Sequence, residues 1–466
     1  MTRKIKSQGP AGKSTAPLEM PKERAQKSAG RAADRSTAAL KTQAGAAAPA
    51  AGARISRRAA DRIRSGHVWV YASDIENLET GGREGSAPAL IPVADNRGLL
   101  LGTALYSPQS QIALRMVSHE AVDETQWLKL LEERLRTAVR RRKLPVTQEV
   151  TSAWRLCFSE ADELPGLVAD KYGELVILQL LAHGLDSAAV RKACVRVLRE
   201  ELEDERFPIS SILERPDPRI RELEGLSAPS LAPLWTANPE SPVTQTIFRL
   251  NGLKFHFDVN AGQKTGAFLD QRVNYEAAAF WARSLDATDR ALDVCTYQGG
   301  FALHLAQYCK RVTGVDASRA SLEVAEKNLE INRANQKQIR AEVDWIEADA
   351  FALLRDWSDA KESFDAIVLD PPAFAKSKRA VEGALRGYKE LNLRALKMVR
   401  PGGLLVTCSC SHHVGWADLE GAVAAAAADA HRRVRLLERR GAAPDHPVVL
   451  NIPETEYLKC LVLEVE

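Results

Sequence analysis

Residues 404–413 read LLVTCSCSHH, placing two cysteines and two histidines within six positions at the end of an apolar run. Four chemistries compete there: a metal site, a disulfide, buried packing and a nucleophile. Cys-x-Cys-x-His-His lacks the spacing of a zinc site, and no second cysteine pair lies nearby. A disulfide between Cys408 and Cys410 would be strained. Packing suits Cys408, since free cysteine is usually buried. Cys410 falls just beyond the run, where a thiolate can attack a substrate. One reaction that needs such a thiolate is methylation of cytosine at carbon 5, which is too poor a nucleophile by itself. Addition of sulfur to carbon 6 makes the ring an enamine, activated at carbon 5. A base must later remove the carbon 5 proton so that the cysteine can leave.

The elements that would position Cys410 begin near residue 250. RALDVCTY, RVTGVDAS, VDWIEADA, FDAIVLDPP and GGLLVTCSC are short, β-branched apolar runs separated by helical stretches such as SLEVAEKNLEINRANQ. That alternation predicts a doubly wound, mostly parallel α/β sheet, with ligands beyond the carboxyl ends of the strands. The first run ends at Asp293, and Gly299 and Gly300 follow in a loop that lets a ligand approach the backbone. A single glycine pair is not the dinucleotide fingerprint. Asp316 ends the second run, placed for ribose hydroxyls, and Asp349 ends the third, placed for an adenine amino group. Each acid alone fits a helix cap; together with the glycines they point to S-adenosyl-L-methionine. Asp370 and Pro371 end the fourth run. Asp370 is expected to pair with the N3 edge of a base, and the Pro371 carbonyl to accept from the exocyclic amine.

Upstream, residues 54–118 predict a small β-rich domain, with Arg54, Arg57, Arg58, Arg62 and Arg64 as a candidate RNA contact. A helix is expected over 123–143. RLCFSEADELPGLVADKYGELVILQLL reads as strand, turn, strand; DSAAVRKACVRVLREEL as an amphipathic helix; SSILERPDPRIRELEGL as a strand and a charged turn; and 226–242 as a loop. The expected division is 1–53 a disordered basic arm, 54–118 the first domain, 119–245 a linker helix and a middle α+β domain, and 246–466 the α/β domain. The arm carries ten Lys/Arg against three Asp/Glu within residues 1–50, although the whole chain of 466 residues is only +3. Its GPAGKS lacks the glycine spacing and preceding strand of a phosphate loop.

Seven scattered cysteines argue against a disulfide framework, no apolar run is long enough to span a membrane, and residues 1–20 contain no apolar signal core. A cytoplasmic protein without membrane or metal partners is expected.

In order along the chain, ELPGLVADKYG, GQKTGAFLDQR, YQGGFA, DPPAFAKSK, RGYKELN, CSCSHH and DHPV resemble the bacterial large-subunit ribosomal RNA cytosine-C5 methyltransferases, from about residue 54 to 466. In that family a PUA domain precedes a class I methyltransferase domain. The resemblance implies a PUA module over 54–118, a middle domain that helps to clasp substrate, and 23S ribosomal RNA, before full subunit assembly, as partner. It implies Cys410 as the nucleophile and Cys408 as accessory. Lys264, Phe268, Asp270 and Arg272 of GQKTGAFLDQR, Phe301 of YQGGFA and Asp370 of DPPAFAKSK become cofactor candidates, with Lys264 and Arg272 suited to the methionine carboxylate. Lys376, Lys378 and Arg386 join the RNA candidates, and a homodimer is a further candidate assembly. Residues 1–53 have no counterpart in the family pattern, and His412 and His413 replace small or flexible residues there. Ala373 stands where many RNA cytosine-C5 enzymes carry a second cysteine. Rival readings are uracil-C5 methylation, which favours Asn-Pro after the cysteine, base-N methylation of ribosomal or transfer RNA, which needs no cysteine, and a non-catalytic RNA-binding assembly factor.

Overall fold

The computed structural model describes residues 52–466 except 81–88, 144–149, 204–207, 231, 261–264, 337–338 and 376. The arm expected over 1–53 therefore lies outside the described residues up to position 51, as do Lys264 and Lys376; Gly52 and Ala53 already belong to a strand.

The first sheet contains β1 (Gly52–Ile55), β2 (Trp69–Tyr71), β3 (Ile75–Glu79), β4 (Leu90–Ala94), β5 (Leu100–Tyr106) and β6 (Ile112–Ser118), in the order β2-β6-β5-β4-β1-β3. Helix α1 (Arg57–Arg64) is capped by Ser56, whose hydroxyl accepts from the Ala59 amide. It buries Ala59, Ala60 and Ile63 against the sheet, which leaves its arginines outward.

Helix α2 (Glu124–Lys143) leads to a second sheet of β7 (Ala153–Phe158), β8 (Leu167–Tyr172), β9 (Leu175–Leu180), β10 (Ser211–Glu214) and β11 (Trp235–Thr236), in the order β11-β10-β9-β8-β7. Helix α3 (Ala188–Leu202) packs with α2 over this sheet, around Trp127, Leu135, Trp154 and Val197. Three features differ from expectation. KYGELVILQLL turns at Gly173–Glu174, so the region holds three strands rather than two. The charged turn is a helix, α4 (Pro218–Glu224), begun by an Asp217 cap and Pro218. The 226–242 loop contains β11.

A hairpin of β12 (Gln245–Leu250) and β13 (Leu253–Asp258) leads into the third sheet. Its strands are β14 (Arg290–Val294), β15 (Arg311–Asp316), β16 (Glu342–Glu347), β17 (Phe364–Leu369), β18 (Val399–Ser409), β19 (Val434–Arg440) and β20 (Lys459–Val465). The order is β16-β15-β14-β17-β18-β20-β19, parallel except for the pairs that β20 makes. This is the expected doubly wound α/β architecture. Its helices are α5 (Arg272–Ser284), α6 (Gly300–Leu305), α7 (Arg319–Gln336), α8 (Ala350–Asp359), α9 (Val381–Met398) and α10 (Trp416–Asp429). No helix among the described residues is long and apolar enough to cross a membrane.

One core joins the second sheet, the hairpin and the third sheet. Tyr172 stacks on Phe257 at 4.2 Å, and Phe248, Phe255, Tyr275 and Phe301 continue the same cluster. A buried polar network runs beside it. Asp170 takes both Arg155 nitrogens at 2.8 Å and the Thr265 hydroxyl at 2.5 Å, while Asp445 takes the Arg155 amide and the Arg272 guanidinium. Burial opposes ionisation of Asp445, yet His446, Arg272 and the Arg155 amide hold its carboxyl well below the usual carboxylate range. Leaving one such charge buried without its partner costs about 3–5 kcal/mol. The segment before α5 is thereby held firmly against the third sheet.

Candidate active site

The carboxyl ends of β14, β15, β17 and β18 and the start of β20 surround a cavity of about 290 Å³. Phe268, Asp270, Gly300, Phe301, Asp316 and Asp349 line one part of it; Asp370, Pro371, Phe374 and Cys410 line the other.

The glycine loop forms the floor. Gly299 has φ +85°, which a side chain would strain, and a Cβ at Gly300 would lie 2.5 Å from the Tyr275 ring. Asp316 stands at the end of β15, its two oxygens accepting from the Tyr297 amide at 2.8 Å and the Ser318 amide at 2.9 Å. Asp349 caps α8 by accepting from the Ala352 amide at 2.9 Å, and it faces the cavity as well. Cap and ligand contact are therefore compatible roles for this acid. A floor that includes Gly300, with acids at two adjacent strand ends, suits a nucleoside whose hydroxyls and amine seek acceptors.

Three sequence-predicted cofactor residues do not reach the cavity. Asp293 is fully buried behind the loop, where its Oδ2 accepts from the Thr296 hydroxyl and the Ala302 amide. Burial pushes its carboxyl up to about 7, against the pull of those hydrogen bonds. It shapes the loop from behind. Gly299 sets the turn without lining the cavity. Arg272 turns away to Asp445 at 3.0 Å, so it is not poised for a carboxylate in the cavity.

The residues between them are pinned toward the cavity. Asp270 accepts from the Tyr457 hydroxyl at 2.5 Å through Oδ2, and its carbonyl accepts from the Ala443 amide at 2.8 Å. Gln271, which the sequence did not single out, donates to Asp370 Oδ1 at 3.0 Å and fixes that carboxylate beside the cysteine.

Cys410 Sγ lies 3.9 Å from the Pro371 carbonyl, which it faces as donor. Cys408 is fully buried opposite Cys460 in the β18–β20 ladder, inside the core. The two cysteines thus divide as expected, one in the core and one in the cavity. Three further residues hold the Cys410 backbone. The Tyr388 hydroxyl accepts from Ser409 Oγ at 2.8 Å and meets Ser411 Oγ at 3.0 Å. Ser411 Oγ also accepts from the Ala375 amide at 3.2 Å, which ties the cysteine loop to the segment after Pro371. Lys459 is 2% exposed and donates to the Ser411 carbonyl at 2.9 Å. Its signal in the sequence was a lysine heading the apolar run LKCLVLEV.

Burial lowers the proton affinity of Lys459, while Glu456, Cys410 and Asp418 raise it. Such coupling is reciprocal: an ammonium favoured by negative charge at Cys410 in turn favours the thiolate. His412 is exposed and His413 half-buried, with ring centroids 5.0 Å apart; neither lines the cavity. Among the described residues no cluster of His, Cys, Asp and Glu is arranged to hold a metal ion.

Of the arginines expected at RNA, Arg62 pairs with Asp74 at 2.5 Å and Arg64 with Asp95 at 2.6 Å. Arg54, Arg57 and Arg58 are exposed, Arg57 lying 3.9 Å from Asp61. Lys378 and Arg386 are exposed on the segment that follows Phe374.

Comparison with known proteins agrees with this layout. Residues 53–119 match a PUA-like domain, and residues 227–462 match the S-adenosylmethionine-dependent methyltransferases. The chain is 36% identical over 409 residues to ribosomal RNA large subunit methyltransferase I of Pseudoalteromonas translucida, covering 86% of this chain and 96% of that protein. It is 35% identical to the Klebsiella pneumoniae protein of the same name, covering 84% and 93%. A solved structure described as a SAM-dependent methyltransferase from Streptococcus mutans has the same fold, with TM-score 0.70 and 18% identity over 88% of this chain and 99% of that one.

Proposed function

The chain belongs to the ribosomal RNA large subunit methyltransferase I family of S-adenosylmethionine-dependent enzymes, and from that premise we propose that it forms 5-methylcytosine in 23S ribosomal RNA through a covalent Cys410 adduct. The observation that carries the proposal is the cysteine itself: Cys410 shares one cavity with Asp370 and Pro371 on one side and Asp316 and Asp349 on the other.

Asp316, Asp349, Asp270, Phe268 and the Gly300 backbone would hold the cofactor, which when bound supplies an electrophilic methyl group on a sulfonium. The target cytosine leaves its stack to enter the cavity, since carbon 6 is shielded within it. Cys410 sulfur then bonds to carbon 6, and the displaced ring electrons collect toward N3. Asp370, held by Gln271, faces that edge and stabilises its protonated form. The Pro371 carbonyl accepts from the exocyclic amine, which a uracil lacks. Carbon 5 takes the methyl group and then gives its proton to solvent. The electrons of that C–H bond re-form the carbon 5–carbon 6 double bond, the carbon–sulfur bond breaks to release Cys410 as thiolate, and N3 returns to solvent the proton it took from there.

Lys459 favours that thiolate at both ends of the cycle. Replacing it by methionine keeps the length and removes the charge. The pH at which Cys410 reacts with iodoacetamide is then expected to rise, while Lys459→Arg stays near wild type. Peptide mass spectrometry separates Cys410 from Cys295, the other cysteine that is not fully buried. An unchanged profile in Lys459→Met would remove the lysine from the mechanism.

The function is tested by incubating unmodified 23S RNA transcript with enzyme and S-adenosylmethionine, then digesting to nucleosides for mass spectrometry. 5-Methylcytidine is the expected product; 5-methyluridine or an N-methylated base contradicts the proposal.

A further inference from the structure

A second concavity, of about 500 Å³, lies against the Phe351–Phe374 wall of the cavity, and both rings line both spaces. Its floor is one face of α9, carrying Gly383, Ala384 and Gly387, and its rim carries Arg379 and Arg386. The two glycines differ in kind. At Gly387 a Cβ would lie 3.3 Å from the Phe374 ring, so the helix needs glycine to seat that ring. At Gly383 the nearest atom to such a Cβ is Arg386 Nη2 at 3.8 Å, so packing does not require glycine. Glycine within a helix is nevertheless unfavourable. What Gly383 provides is space in the groove.

The rim holds two arginines and one carboxylate, Glu382. Arg379 is exposed and has no ion-pair partner among the described residues. Among the described residues Arg386 pairs with Glu382 on the same exposed helix face, at 2.5 Å, a pairing that contributes little in water. Aromatic wall, small-residue floor and arginine rim match a single unstacked nucleotide, whose base packs on rings and whose phosphate meets a guanidinium.

We propose that this groove is a second nucleotide subsite, which holds the RNA residue adjacent to the flipped target, with its base against Phe351 and Phe374 and its phosphate at Arg379. The proposal rests on the RNA-methylating function above. It adds a contact outside the reacting base, on the far side of the Phe351–Phe374 wall that the two spaces share.

Two variants test it on unmodified 23S transcript. Gly383→Leu fills the groove at a position where leucine favours the helix. It is expected to raise KM for RNA at least about fivefold, the effect of losing one base–aromatic stack, with cofactor affinity and melting temperature unimpaired. Arg379→Gln is expected to raise KM for RNA and to reduce the salt slope of kcat/KM by about one. Unchanged KM and salt slope in both variants would overturn the subsite. Both readouts report RNA engagement whichever atom receives the methyl group, so product identity tests the function separately.

Discussion

Cys410→Ala is expected to lower methyl transfer by at least about a thousandfold, in line with loss of a nucleophile elsewhere, while leaving the cofactor bound. The residues that would hold the cofactor are Asp270, Asp316 and Asp349, contributed by other segments and held there by Tyr457, by the Tyr297 amide and by the Ala352 amide respectively. The loop carrying Cys410 is fixed through its neighbours, by Tyr388 on Ser409 and Ser411 and by Lys459 on the Ser411 carbonyl. Removing the sulfur therefore removes chemistry rather than structure. Cys408→Ala is the matched control. Cys408 is buried in the core against Cys460, so its loss is expected to lower the melting temperature while turnover stays within a few-fold of wild type. Single-turnover methylation and calorimetric cofactor titration on the two variants separate the roles. Comparable turnover losses in both would contradict the division.

The second large effect is expected at Asp370. Asparagine keeps the shape and can still accept from Gln271, whose amide lies 3.0 Å from Oδ1. What it lacks is negative charge facing the ring edge that gains a proton as sulfur adds to carbon 6. Losing one aimed electrostatic contact of this kind costs roughly 10²–10³ in kcat. Asp370→Asn should therefore lower kcat by about that factor and alter the cofactor dissociation constant only slightly. A pure KM effect, with kcat retained, would place Asp370 in binding alone. The alternative involvement of Asp370 with the cofactor predicts weakened cofactor titration, which the same experiment reads.

Much of this site could be read along the chain because strand ends are local events. The β-branched runs that became β14, β15, β17 and β18 are largely buried strands of a parallel sheet, with β16 at its edge, and polar residues mark where each ends. Asp316, Asp349, Asp370 and Cys410 were found that way, and all four line one cavity. The direction of a side chain at a strand end is not local. Asp293 turns back into its own loop, to Thr296 and Ala302, while Arg272 turns to Asp445, a partner distant in sequence that offers a buried acceptor. Lys459 escaped notice for the same reason. It meets the cysteine loop only because β20 runs antiparallel to β18 and sets Lys459 opposite Ser409. In the middle region the turn between β8 and β9 is only two residues long, Gly173 and Glu174, so β8 and β9 read along the chain as one strand. Helix α4, expected as a charged turn, did carry a local signal: Asp217-Pro218 is a cap followed by proline at the first helical position.

The central claim is the bond between Cys410 and a cytosine ring. RNA containing 5-fluorocytidine at the target tests it most directly, because fluorine at carbon 5 leaves no proton to remove and the adduct cannot collapse. Enzyme incubated with this RNA and S-adenosylmethionine is digested with protease and nuclease and analysed by mass spectrometry. The account predicts a methylated fluorocytidine nucleotide joined to the peptide that contains Cys410, and no such species in Cys410→Ala. An adduct on a different residue, or methylated RNA released without an adduct, would contradict it.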